Sequence, residues 1–187
     1  PQIIAMILIL WAIAVRIRDV SFIDAFWAFG MVLLAWASAG QAGTAGPHGK
    51  WLIGLTTLWG LRLAVHLFLR WRAAGEDPRY QKILGGVMKQ RGWSWSLSAL
   101  VMVFLMQAPL LFITCLPAQI GIWASAMGTH AVGSLAWIGA AAALIGIAFE
   151  SVGDAQLHAF RKDPANKGRV LDTGLWRYTR HPNYFGD

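Results

Sequence analysis

Charge is scarce in this chain. Asp, Glu, Lys and Arg make up only 13% of its 187 residues, against about a quarter in an ordinary soluble domain. Acids are the rarer sign, with nine Asp and Glu against 16 Lys and Arg. Cysteine is all but missing. Cys115 stands alone, which excludes an internal disulfide and a structural zinc site built from thiolates, and no metal is expected. The alternating apolar and polar runs of a membrane β-barrel are absent. There is no internal repeat and no low-complexity tract. The glycine fingerprint of a Rossmann dinucleotide fold is missing too. No cleavable signal peptide is recognisable, the first residue is Pro1, and the last residues interrupt the richest motif. Both ends are therefore expected to be truncated.

What is present is apolar bulk. The chain is 57% hydrophobic, with a mean hydropathy of +0.50. Several runs approach the roughly 20 residues that cross a bilayer as a helix. The expected fold is all-α: a polytopic membrane helical bundle forming a single domain over residues 1–187. Spans are expected at 1–15, 22–39, 51–71, 95–116 and 132–160, and the motif at 174–187 opens a sixth whose remainder is missing. Trp51 and Trp71 bracket the third span at a separation of about 30 Å, which is the hydrocarbon thickness. Pro109 is placed to kink the fourth. The fifth outlasts one bilayer, so its last turns should project into water.

The net charge of +7 is distributed by loop. Arg16 and Arg18 follow the first span, and Arg70, Arg72, Arg79, Lys82, Lys89 and Arg91 follow the third. Arg161, Lys162, Lys167, Arg169, Arg177 and Arg180 follow the fifth. The alternate loops hold Lys50 alone. That is the positive-inside pattern. It places the basic loops in the cytoplasm and accounts for the charge without a nucleic-acid partner.

Polar groups within apolar runs narrow the chemistry. Asp24 lies early in the second span, among aromatic side chains, where burial favours the protonated carboxyl and hence a proton donor. Arg62, His66 and Arg70 recur at i, i+4 and i+8, on one helical face, either as a polar cavity wall or as buried ion pairing. Glu150, Asp154 and His158 repeat that spacing at the exit of the fifth span. Arg161 and Arg169 belong to a basic stretch, RKDPANKGRV, whose guanidinium forks suit phosphate. Lipid headgroups would serve such a stretch equally well. The chain closes on GLWRYTRHPNYFGD, which supplies Arg177, Tyr178, Arg180, His181, Asn183, Tyr184 and Asp187.

That closing string resembles the C-terminal signature of the steroid 5-alpha-reductase superfamily, and most closely its bacterial branch of unknown function. Asp24, the Arg62-Leu63 pair, Glu76 to Tyr80 (EDPRY), Glu150, Asp154, Gln156, Leu157 and Phe160 stand in the order of that branch. The resemblance implies a membrane reductase that uses NADPH and acts on an activated C=C bond of a lipid or steroid-like enone. It implies cofactor contacts at Glu150, Asp154, Arg161, Arg169, Tyr178 and Asn183, with Asp187 closing the motif. Arg177, Arg180, His181 and Tyr184 complete the expected cofactor-binding set. The steroid branch uses a glutamate and a tyrosine where this chain has Asp24 nearby and Leu67, so Asp24 or His66 is expected to supply the proton. A membrane methyltransferase of the isoprenylcysteine or phospholipid type, using S-adenosylmethionine, shares the Arg180 to Gly186 pattern and is the main rival. A non-catalytic lipid-binding membrane protein is the second.

Overall fold

The computed structural model describes residues 2–128 and 132–187, and every described element is helical. The chain divides into two compact units, Pro1–Ala131 and Val132–Asp187.

The first unit begins with α1 (Gln2–Ile17), α2 (Ile23–Ala42) and α3 (Pro47–Ala74). Gly43 ends α2 in the left-handed conformation and Pro47 starts α3 at its first turn, so the Gly/Ala-rich loop is a short one built from ordinary helix punctuation. The expected first span begins on Pro1, outside the described residues. Its helix is 16 residues long, short of the roughly 20 a bilayer needs.

The polar segment after α3 is not a plain loop. It contains α4 (Pro78–Arg91), with Pro78 in its first turn and the Asp77 carboxylate accepting from the Arg79 N–H at 2.8 Å. The expected fourth span is real but irregular. It comprises α5 (Trp95–Ala99), a π-helical turn at Leu100–Phe104 and α6 (Leu105–Thr114). The departure from α geometry falls just ahead of Pro109 rather than at it. A proline ring crowds the carbonyl four residues back, and the turn before it widens, with Leu105 N–H bonding to the Leu100 carbonyl. A further helix, α7 (Leu116–Ala126), occupies a stretch expected to be loop. The second unit holds α8 (Ser134–Lys162), two 3-10 turns at Pro164–Asn166 and Gly174–Arg177, and the short α9 (Pro182–Gly186).

Among the described residues, four helices are long and apolar enough to cross a membrane: Ile23–Ala42, Pro47–Ala74, Trp95–Thr114 and Ser134–Lys162. Large apolar side chains stand outward along them, among them Trp36, Val65, Leu69, Ile113, Ile138 and Ile145. Water would not tolerate so continuous an apolar surface. These features mark a membrane protein.

The core of the first unit gathers Ile7, Leu10 and Ala14 of α1 with Phe22, Leu84 and Phe104. The Trp11 indole donates to the Ser96 carbonyl at 2.9 Å, tying α1 to α5. Arg18 ends α1 with φ 60, the one non-glycine residue among those described with a positive φ, a conformation that costs a side-chain-bearing residue about 1–2 kcal/mol. Helices α2 and α3 meet at Gly60, where an added Cβ would lie 2.5 Å from Val32 Cγ2 and 2.9 Å from the Ala28 carbonyl oxygen. Gly54, on the same helix, faces open space. Gly60→Ala should therefore destabilise the protein by about 1–3 kcal/mol through overpacking. Gly54→Ala should leave stability unchanged or raise it by up to about 1 kcal/mol. Thermal unfolding of the two variants in detergent checks this, and equal midpoints would refute the close α2–α3 contact.

Candidate functional site

The closing segment of the second unit is fastened to α8 by small residues and four side chains. Gly146 and Gly186 face each other so closely that a Cβ on either would run into the other's carbonyl oxygen. Further along α8, Gly153 leaves room for Pro182 and the Asn183 backbone. Its carbonyl accepts from the Trp176 indole at 3.0 Å. Gln156 accepts from the Leu175 N–H at 3.0 Å. Gly174 takes φ +61 there, directly against the Gln156 amide, a conformation and a clearance that glycine alone combines. Asn183 donates through Nδ2 to Asp154 Oδ1 at 3.1 Å, and its own Oδ1 is buried without a hydrogen-bond partner.

Glu150 and Asp154 are buried on this face, at 3% and 7% exposure. His158, expected on the same stripe, is exposed. The stripe turns outward because the chain doubles back beyond it. The Asn166 amide reaches the Phe160 carbonyl at 3.0 Å. The Asp163 carboxylate caps the Ala165 N–H at 2.9 Å.

The doubled-back chain lines an open cavity of about 720 Å³. Leu157 and Phe160 of α8 floor it, with Trp176 at its side. Arg161, Lys167, Arg169, Arg180 and His181 all line it, together with Asp163 and Asp172. Four of the expected cofactor residues thus share one cavity: Arg161, Arg169, Arg180 and His181. Asp154 and Asn183 form a separate bonded pair that does not line it. The other expected residues lie outside the lining as well. Tyr178 and Tyr184 are 84% and 73% exposed, and the Tyr184 ring stacks on His181 at 5.2 Å. Arg177 is exposed in a 3-10 turn. Asp187 is the last residue, its N–H bonded to the Asn183 carbonyl.

The remaining two expected residues belong to the first unit. His66 is half-buried on α3, one turn beyond half-buried Arg62, whereas Arg70 is exposed and leaves that shared face. Asp24 sits in the first turn of α2. Its Oδ1 accepts from the Tyr80 hydroxyl at 2.6 Å and its Oδ2 lies 3.6 Å from the Arg79 guanidinium. Arg79 also pairs with Asp77 at 2.7 Å. The Asp77 N–H donates to Ser21 Oγ, and Asp19 accepts from both the Trp71 indole and the Ser21 N–H, all at 2.7 Å. The EDPRY segment therefore clasps the ends of α2 and α3, and it gives Asp24 one hydrogen-bond donor, Tyr80, and one ion-pair partner, Arg79. In this arrangement the Asp24 carboxyl accepts the hydrogen bond. Tyr80, which sequence reasoning left without a role, carries the proton in this pair. The signal that could have found it is an aromatic hydroxyl in a loop otherwise made of charges and proline.

Burial, and then the bond to Asp24, push the Tyr80 phenol above its ordinary value. The hydrogen bond from the Arg79 side chain holds the Asp77 carboxyl below its own ordinary value. The signs are opposite. Stability from the raised phenol is full below the ordinary tyrosine value and is lost as pH climbs through the folded value. Stability from Asp77 is present above the ordinary aspartate value and is lost as pH falls through the folded one. The ultraviolet titration of wild type minus that of Tyr80→Phe should give a phenol midpoint above about 10. Asp24→Asn should move that midpoint down. A midpoint at or below the ordinary value would contradict the clasp.

A family model described as "Protein of unknown function (DUF1295)" matches residues 10–187. Neither the curated proteins nor the solved structures contain a significant match. The matched region runs from α1 through the Asp24 clasp and the cationic cavity to the last residue. The chain belongs to the DUF1295 family, a family of unknown function.

Proposed function

We propose that this protein is a membrane-embedded, NADPH-dependent reductase of the steroid 5-alpha-reductase superfamily. It acts on an activated C=C bond of a lipid or steroid-like enone, with its basic loops on the cytoplasmic face of a bacterial inner membrane. The observation that carries the reading is the cavity beyond α8. It has the volume of a cofactor site, within the usual range of about 300–1,000 Å³, and four cations against two carboxylates line it. Guanidinium forks of Arg161, Arg169 and Arg180 suit phosphate oxygens, and Lys167 adds a point charge. The apolar floor of Leu157 and Phe160 suits a flat ring.

When bound, NADPH supplies a hydride to the β-carbon of an enone. The chain's own residues would hold the phosphates and supply a proton where charge develops on the substrate oxygen. Asp24 and His66 are the proposed acids. The Tyr80 hydroxyl on Asp24 is the proton nearest to hand in that pair.

S-adenosylmethionine is the second reading, because Arg180 to Gly186 also fits the membrane methyltransferase pattern. The lining argues against it. That cofactor carries a sulfonium and an ammonium with a single carboxylate, and a cationic cavity repels two of the three.

The test is calorimetric titration of the full-length protein with each cofactor. NADPH should bind, and Arg161→Ala or Arg169→Ala should each weaken it by roughly 10- to 100-fold, the worth of a charged hydrogen bond. Binding of S-adenosylmethionine alone would end the reductase reading.

A further inference from the structure

Two arginine–tryptophan pairs stand where the polar segment enters the span Trp95–Thr114. The Arg18 guanidinium lies 5.3 Å above the Trp95 ring, and that of Arg91 lies 4.9 Å above the Trp93 ring. Both arginines are exposed and both rings are half-buried. Between the rings, Ser94 caps α5 by accepting from the Leu97 N–H at 3.2 Å. The rings therefore mark the first turn of a span, the depth at which tryptophan settles in a bilayer interface.

Arg18 is in the wrong place for a merely solvated residue. Its φ of 60 is the conformation that usually selects glycine at a helix end. The backbone is held there from both sides. The Arg18 N–H bonds to the Ala14 carbonyl at 2.8 Å, and Asp19 is pinned by Trp71 and Ser21. A side chain is retained where the backbone favours having none, and that side chain ends over an interfacial aromatic ring. Apolar side chains within a turn of these groups are also exposed, namely Ile17 and Ile13 on α1 and Leu97 on α5.

We propose that this corner binds the phosphate group of an anionic phospholipid. Arg18 and Arg91 take the phosphodiester oxygens through their guanidinium forks. Trp93 and Trp95 hold those forks at headgroup depth by cation–π contact. Ile13, Ile17 and Leu97 give the acyl chain an apolar wall. The occupant is a lipid rather than a free phosphate because the cations come paired with amphipathic rings and exposed apolar surface at the mouth of a span. Charge chooses an anionic lipid over a zwitterionic one. The site rests on the membrane reading of the four long helices and is independent of the cofactor and the reaction.

The full-length protein is delipidated in detergent and titrated with phosphatidylglycerol and phosphatidylcholine of the same acyl chains, and bound lipid is counted by native mass spectrometry. Phosphatidylglycerol should bind more tightly, and Arg18→Gly and Arg91→Ala should each erode the preference by about fivefold. Arg16→Ala, an exposed arginine paired with no ring, should leave it unchanged. Arg18→Gly relieves the backbone, so its thermal midpoint should not fall and its loss of lipid cannot be ascribed to unfolding. Equal binding of the two lipids overturns the proposal. So does an undiminished preference in the double variant, or displacement of phosphatidylglycerol by millimolar inorganic phosphate.

Discussion

Gly146 and Gly186 meet backbone to backbone, and the course of the closing segment over α8 follows from that approach. With no side chain at either position, the short α9 can lie close enough for Asn183 to reach Asp154 and for Pro182 to cover Gly153. Upstream, Gln156 and Gly153 hold the Gly174–Arg177 turn through Leu175 and Trp176. Trp176 and Arg180 in turn form part of the cavity wall beyond the helix end. The cationic pocket sets eight polar side chains beside an apolar wall that includes Leu157, Phe160, Val170, Leu171 and Trp176. The glycine contact and the four hydrogen-bonding side chains supply the order that a hydrophobic core would supply elsewhere.

The first unit solves a different problem. A carboxylate at the start of a membrane span is costly unless it is bonded. Asp24 receives its partners from outside the spans, from the EDPRY segment that begins α4. Asp77 serves that segment twice, as cap of α4 and as partner of Arg79. Ser21 and Asp19 then join it to the ends of α2 and α3. Asp24, the proposed acid, is thus one member of a network that includes Tyr80 and Arg79. Catalytic arguments about Asp24 have to include Tyr80 and Arg79.

The long helices were legible in the sequence because apolar runs report directly on burial in lipid. The third and fifth runs are recovered within a few residues as α3 and α8. Helix α4 was not legible, since its polar face and its two adjacent glycines, Gly85 and Gly86, read as loop. Helix α7 was missed because Pro117 and Gly121 resemble breakers, although proline is at home in a first turn. In the candidate site, Arg161, Arg169 and Arg180, which charge and guanidinium chemistry singled out, line one cavity. Spacing alone could not show that Asp154 and Asn183 would turn to each other, or that His158 would face water. Those facts depend on where the chain folds back, and Asp163, Asn166 and Gly168 set that locally. The partnership of Tyr80 with Asp24 spans 56 positions, and no local pattern encodes it.

The most direct measurement is a cryo-electron microscopy map of the full-length protein bound to NADPH. The account predicts density for the cofactor's phosphates against Arg161, Arg169 and Arg180, within the chain that doubles back from α8. Cofactor density at a different place, or a saturated sample in which that cavity holds nothing, would contradict it.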